Sequence, residues 1–103
     1  MSLDSLILYG RPGCCLCEGL EDRLKKICLQ DLVPSMNLRV VDIDSDNFSE
    51  IERARYDLRV PVLLIELKNH KQLLELPVVS PRIKEKQLFD WIQKEINQLI
   101  QEC

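Results

Sequence analysis

Three of the chain's five cysteines fall within four consecutive positions, Cys14-Cys15-Leu16-Cys17, in the stretch YGRPGCCLCEGL (9–20). Two cysteines spaced three apart can hold a soft metal or cycle between dithiol and disulfide, and the element that carries them bears on which. The run LILY (6–9) is short and apolar and is stopped by GRPG, which predicts a buried strand entering a Gly/Pro loop. Beyond the cysteines, Leu16, Leu20, Leu24, Ile27 and Cys28 recur at helical spacing, with Glu21, Asp22, Lys25 and Lys26 on the other face. The pair therefore opens a helix. The first amides of a helix lack carbonyl partners and carry partial positive charge, so a cysteine there is stabilised as thiolate, with a pKa of roughly 3.5 to 7.5. Cys14 takes that place as nucleophile. Cys17 lies one turn deeper, within reach of a mixed disulfide on Cys14, and is the resolving thiol.

Arg11, three residues before Cys14, is placed to hold thiolate charge or an incoming carboxylate, and Pro12 and Gly13 shape the loop. Cys15 reads as a spacer or back-up thiol, because adjacent cysteines bridge only through a strained ring. Cys28, on the apolar helix face, reads as a small buried hydrophobe, and Cys103 as a bystander. Structural zinc usually takes four Cys or His ligands from two separated pairs. This chain has one C-x-x-C and one His, in the distant segment KNHK, so no zinc site is expected. Two other readings stay open: a module that holds an iron-sulfur cluster or Cu(I) through these thiols, and a docking domain without turnover.

The elements that must position the thiols follow from the rest of the pattern. LRVVDID (38–44) predicts a second buried strand, and Asn47 with Glu50 suggests a capping box for a short helix with Phe48, Ile51 and Tyr56 or Leu58 on its apolar face. VPVLLIEL predicts a strand that starts at a proline, KNHK a polar turn, and QLLEL its hairpin partner. Ser80 and Pro81 fit the N-cap and first position of a last helix, whose stripe is Leu88, Trp91, Ile92, Ile96, Leu99 and Ile100. Gly19 inside the first helix costs about 1 kcal/mol relative to alanine, so either tertiary packing holds that helix or the glycine permits a close approach. The order β-α-β-α-β-β-α predicts an α/β domain over residues 1–103, with a mixed four-stranded sheet flanked by helices and the first two strands parallel through a right-handed crossover.

Seventeen acidic residues against fourteen basic give a net charge of −3, with the basic residues interspersed among acids, so no nucleic-acid surface is expected. No apolar run has the length of a membrane span, and MSLDSLILYG lacks both a basic segment and a small-residue cleavage site. Together with an odd number of clustered cysteines, this points to a cytoplasmic protein that does not contact membrane.

The element order, the C-x-x-C opening the first helix and RVPV opening the third strand resemble the thioredoxin superfamily, and more narrowly glutaredoxin-like proteins, across nearly the whole chain. The resemblance implies a thiol-disulfide oxidoreductase that acts as a monomer on a disulfide-containing protein or glutathione, with no cofactor of its own and glutathione as a candidate reductant. It also implies that Val60-Pro61 is the cis-proline pair facing the active site, where the backbone beside the proline receives an extended thiol substrate. Arg11 matches the basic residue that glutaredoxins often place three positions before the nucleophile to receive a glutathione carboxylate. The chain departs from the family in its spacer, Cys15-Leu16, and in the segment LPVVSPR, which lacks the glutaredoxin Gly-Gly turn and its acid. There a helix start at Ser80, assisted by Arg82, stands in for a carboxylate receptor.

Overall fold

The computed structural model describes residues 4–68, 73–80 and 82–102. Most of the KNHK turn with its histidine, Pro81 and Cys103 lie outside the described residues. The elements are β1 (Asp4–Gly10), α1 (Cys15–Lys26), a 3-10 turn (Leu29–Asp31), β2 (Met36–Asp42), α2 (Glu50–Tyr56), β3 (Val62–Glu66), β4 (Leu74–Glu75) and α3 (Glu85–Glu102). The strands form one sheet in the order β2-β1-β3-β4. β1 runs parallel to β2 and antiparallel to β3, and β3 is antiparallel to β4. This is the mixed four-stranded sheet expected from the element order.

Alternation along the two central strands builds a core on each face. In β1, Leu6 and Leu8 join the cluster under α1 and α3, while Ile7 and Tyr9 join the cluster under α2. In β3, Leu63 and Ile65 face the first cluster and Val62 and Leu64 the second. A strand buried on both faces reads as a continuous apolar run, which is why LILY and VLLIE carry no polar alternation. Leu88, Ile92 and Ile96, all fully buried, are the part of the predicted α3 stripe that seals the first face. Trp91 and Leu99 pack at its margin, whereas Ile100 is exposed. The loop entering β2 is pinned to α3 by Gln93, which receives the Val33 N–H at 2.9 Å and donates to the Val33 carbonyl at 2.8 Å.

Several local expectations are corrected. β2 covers 36–42 rather than 38–44 and is half exposed rather than buried, because it is an edge strand paired only with β1. α1 ends at Lys26, so Cys28 lies beyond the helix, exposed, its thiol donating to Gln30 Oε1 at 3.6 Å. The buried stripe of α1 is Cys17, Leu20 and Leu24; Leu16 is exposed. The capping box of α2 is Ser49 with Glu52, not Asn47 with Glu50. Ser49 Oγ accepts the Glu52 N–H at 3.1 Å and the Glu52 carboxylate accepts the Ser49 N–H at 3.4 Å. The helix thus starts two residues later than expected, and Ile51 and Leu58 fall on the solvent side, with only Phe48 and Tyr56 on the core. Ser80 does not cap α3, which begins at Glu85 with the Leu88 N–H bonded to the Lys84 carbonyl at 2.8 Å. Gly19 makes no close approach: a Cβ there would lie an ordinary 3.7 Å from Arg23 Nη1, so packing holds the helix.

The cluster under α2 contains three aromatic rings. Tyr9 meets Phe48 and Tyr56 edge to face, with centroids 5.1 and 5.0 Å apart. Burial, followed by the neighbouring Tyr56 and Glu52, pushes the Tyr9 hydroxyl above its ordinary pKa. A raised folded-state value means that stability is fully present below pH 10 and falls as pH rises through the folded value. Tyr9→Phe is expected to flatten that alkaline loss, and urea unfolding between about pH 8 and about pH 11 checks it.

Candidate functional site

The thiols sit where β1 hands the chain to α1. Pro12 and Gly13 form a turn closed by the Cys14 N–H donating to the Arg11 carbonyl at 3.3 Å. Proline at the second position and glycine at the third with φ +82° is the pattern of a type II turn, in which the third residue must be left-handed. Cys14 leaves this turn in extended conformation and is the N-cap of α1, its carbonyl accepting the Glu18 N–H at 3.0 Å. Its sulfur accepts the Cys17 N–H at 3.2 Å. A helix N-terminus thus donates an otherwise unpartnered amide to the sulfur, the arrangement that lowers a thiol pKa.

Cys14 and Cys17 are joined as a disulfide, with a Cα–Cα separation of 5.2 Å. The two are not equivalent. Cys14 is partly exposed, while Cys17 is 4% exposed and packs on the end of β1. Gly10 makes that packing feasible: a Cβ at this position would lie 3.1 Å from Cys17 Cβ and 3.4 Å from its sulfur. Cys15 is exposed and unpaired beside them. A pocket of about 260 Å³ opens on the Cys17 side, lined among others by Gly10, Pro12, Cys17, Glu18 and Val40.

The Val60-Pro61 peptide bond is cis. Val60 and Pro61 are both half-buried; the Val60 side chain packs on the cluster under α2, and its N–H donates to the Tyr56 carbonyl at 3.2 Å. Pro61 lines a shallow groove with Arg59, Leu76, Pro77 and Val78. Val78 of this groove is 91% exposed, as is Leu58, at 96%, three residues before Pro61 in the chain. Ser80 lies in the segment before α3, its carbonyl accepting the Ile83 N–H at 3.1 Å and its hydroxyl the Arg82 N–H at 3.4 Å. The amides expected to be free at that point are therefore bonded within a local turn.

Arg11 is engaged by two carboxylates that spacing in the sequence does not reveal. Its Nη2 lies 2.7 Å from Asp57 Oδ1 and 3.1 Å from Asp44 Oδ1, and its Nη1 donates to the Asp57 carbonyl at 3.4 Å. The hydrogen bond that Arg11 donates to the Asp57 carboxylate is the largest of the effects that raise the Arg11 pKa. Its Nε is buried without a partner among the described residues, which leaves the two Nη groups to carry the contacts. Among the described residues, no group of three or more His, Cys, Asp or Glu side chains is arranged to hold a metal ion. Nor is any of the described helices long and apolar enough to cross a membrane.

The family described as Glutaredoxin-like domain (DUF836) matches residues 5–93. No curated protein sequence matches the chain. Among solved structures, a malarial protein superposes with a TM-score of 0.57 at 17% identity, over 91% of this chain and 98% of that one. The germline-specific thioredoxin Deadhead of Drosophila melanogaster gives 0.56 at 17% identity, over 89% of this chain and 80% of its own. The poxviral disulfide oxidoreductase essential for cytoplasmic disulfide bond formation gives 0.55 at 17% identity, over 90% and 94%. Likeness at this identity speaks for a thioredoxin fold. Gly10→Ala is expected to destabilise the protein by about 1–3 kcal/mol, because the new methyl group forces the first turn of α1 away from β1. Urea unfolding of the oxidised protein measures it.

Proposed function

Because this chain belongs to the Glutaredoxin-like domain family, matched over residues 5–93, we propose that it is a thiol-disulfide oxidoreductase in which Cys14 is the nucleophile and Cys17 the resolving thiol. One observation carries the reading: the sulfur of Cys14 caps α1 and accepts the Cys17 amide, while the sulfur of Cys17 is buried beneath it and bonded to it. In the reduced protein the same amide and helix end stabilise a Cys14 thiolate. That thiolate attacks one sulfur of a substrate disulfide, breaks the S–S bond, and expels the other sulfur as a thiolate that takes up a proton. Cys17, deprotonated, then attacks the Cys14 sulfur of the mixed disulfide. The substrate leaves as a second thiol, reduced by two electrons in all, and the protein keeps the Cys14–Cys17 disulfide. Two equivalents of an external thiol such as glutathione restore the dithiol: the first opens the bridge as a mixed disulfide, the second attacks that disulfide, and the pair leaves as the oxidised disulfide.

The substrates proposed are disulfides of proteins or mixed disulfides with glutathione. Val60 and Pro61 form the ledge against which an extended substrate lies. With the Val60 N–H engaged by Tyr56, the Val60 carbonyl is the backbone group offered to it. Ser80, on the segment that follows Pro77 and Val78 out of the groove, is proposed as a contact on the same side. The exposed side chains of Leu58 and Val78 suit the apolar flank of a protein substrate.

Cys14→Ser is expected to abolish reduction of a glutathionylated peptide or a protein disulfide. Cys17→Ser is expected to accumulate a mixed disulfide on Cys14, visible by intact-mass analysis under non-reducing conditions. Undiminished turnover by Cys14→Ser would sink the assignment.

A further inference from the structure

Arg11 joins two parts of the site. Its carbonyl closes the turn that delivers Cys14, and its side chain reaches the far end of α2, where Asp57 is the C-cap. The carbonyls of a last helical turn lack amide partners and carry partial negative charge, so a cation is favoured at that end. Arg11 meets both the Asp57 carboxylate and the Asp57 carbonyl there, and the planar guanidinium suits such a two-point contact.

The second carboxylate is held in place independently. Asp44 follows β2, and its N–H donates to Asp42 Oδ1 at 2.8 Å. Arg53 of α2 donates to the carbonyls of Ile43 at 3.0 Å and Ser45 at 3.2 Å, and its Nε lies 3.8 Å from Asp44 Oδ1. Beyond Asp57 the chain is short and tied: the N–H groups of Arg59 and Val60 both donate to the Tyr56 carbonyl, at 3.0 and 3.2 Å, and Pro61 follows. Contacts therefore link Cys14 to Arg11 and Arg11 to Asp57, and the short backbone after Asp57, tied back to the Tyr56 carbonyl, leads to Val60-Pro61.

The charge balance points the same way. With Arg53 also beside Asp44, two guanidiniums face two carboxylates, so an arriving substrate carboxylate meets a centre already neutralised. Each pair, with partners 45% and 49% exposed, contributes little alone. Their shared cation is what sets geometry.

We propose that Arg11 is a positioning residue: by pairing with Asp57 and Asp44 it clasps the loop carrying Cys14 to the segment carrying Val60-Pro61, and it does not serve as the receptor for a substrate carboxylate. The proposal rests on the oxidoreductase reading for its effect on turnover, and on geometry alone for the clasp.

The test compares wild type, Arg11→Gln, Asp57→Ala and the double variant on two substrates, glutathione disulfide and the carboxylate-free bis(2-hydroxyethyl) disulfide. Misplaced reacting groups lower kcat, so each single variant is expected to lose about tenfold in kcat on both substrates, with KM nearly unchanged. The double variant should fall no further than Arg11→Gln, because the two substitutions break one contact. If Arg11→Gln raises KM for glutathione disulfide alone and Asp57→Ala, by freeing the cation, lowers it, the clasp is wrong and Arg11 is a carboxylate receptor. Additive losses in the double variant would overturn it equally. Amide exchange on the same oxidised proteins, followed by mass spectrometry, decides the clasp without turnover: both single variants should exchange faster over residues 57–60, and unchanged exchange there contradicts the proposal. Wild type inactive on both substrates would instead defeat the oxidoreductase reading, and the exchange result would still decide the clasp.

Discussion

The amides of the first turn of α1 have no carbonyls to meet, and the sulfur of Cys14 meets one of them. Most of the site is arranged so that this contact forms. The left-handed Gly13 turns the chain so that Cys14 arrives as the N-cap rather than as an interior residue. Gly10 leaves room for Cys17 to pack against the end of β1, which fixes how deep the helix sits. Cys17 is buried and Cys14 lies at the rim, and the proposed division between attacking and resolving thiol rests on that difference.

Holding that turn steady requires a rigid sheet beneath it. β1 is central, paired on both edges and buried on both faces, so the loop it delivers starts from a tightly constrained strand. The two layers do different work. The face under α1 and α3 is aliphatic, and it anchors the helix that carries the dithiol. The face under α2 is partly aromatic and holds Val60, so the segment with the cis proline packs on the cluster that contains Tyr9, Tyr56 and Phe48. Arg11 and its two carboxylates bridge the loops that emerge above these layers.

Much of this was legible because the signals are local. LILY stopped by GRPG marks β1 and the turn, the spacing of Leu20 and Leu24 marks α1, and the run after Pro61 marks β3. What misled was also local. Asn47 with Glu50 and Ser49 with Glu52 both have the spacing of a capping box, and only the start of α2 selects between them. Ser80 before Pro81 has the form of a helix start, but its hydroxyl and carbonyl bond to Arg82 and Ile83 in a turn of their own, and α3 waits until Glu85. Cys28 continues the apolar period of α1 in sequence while the helix has already ended at Lys26. The cis isomer at Val60-Pro61 was implied only by resemblance. The partners of Arg11 lay beyond any pattern reading, since they stand 33 and 46 positions away and come together only through the fold.

The central claim is that Cys14 and Cys17 form a working redox pair. Equilibrating the protein in glutathione redox buffers, quenching, and resolving the products by mass spectrometry with mapped cysteines tests it most directly. The account predicts a reversible Cys14–Cys17 bridge that gives way to the dithiol as the buffer becomes more reducing, with any glutathione adduct on Cys14 rather than Cys17. A protein in which no such bridge forms or breaks across the accessible range, or in which glutathione resides on Cys17, would contradict it.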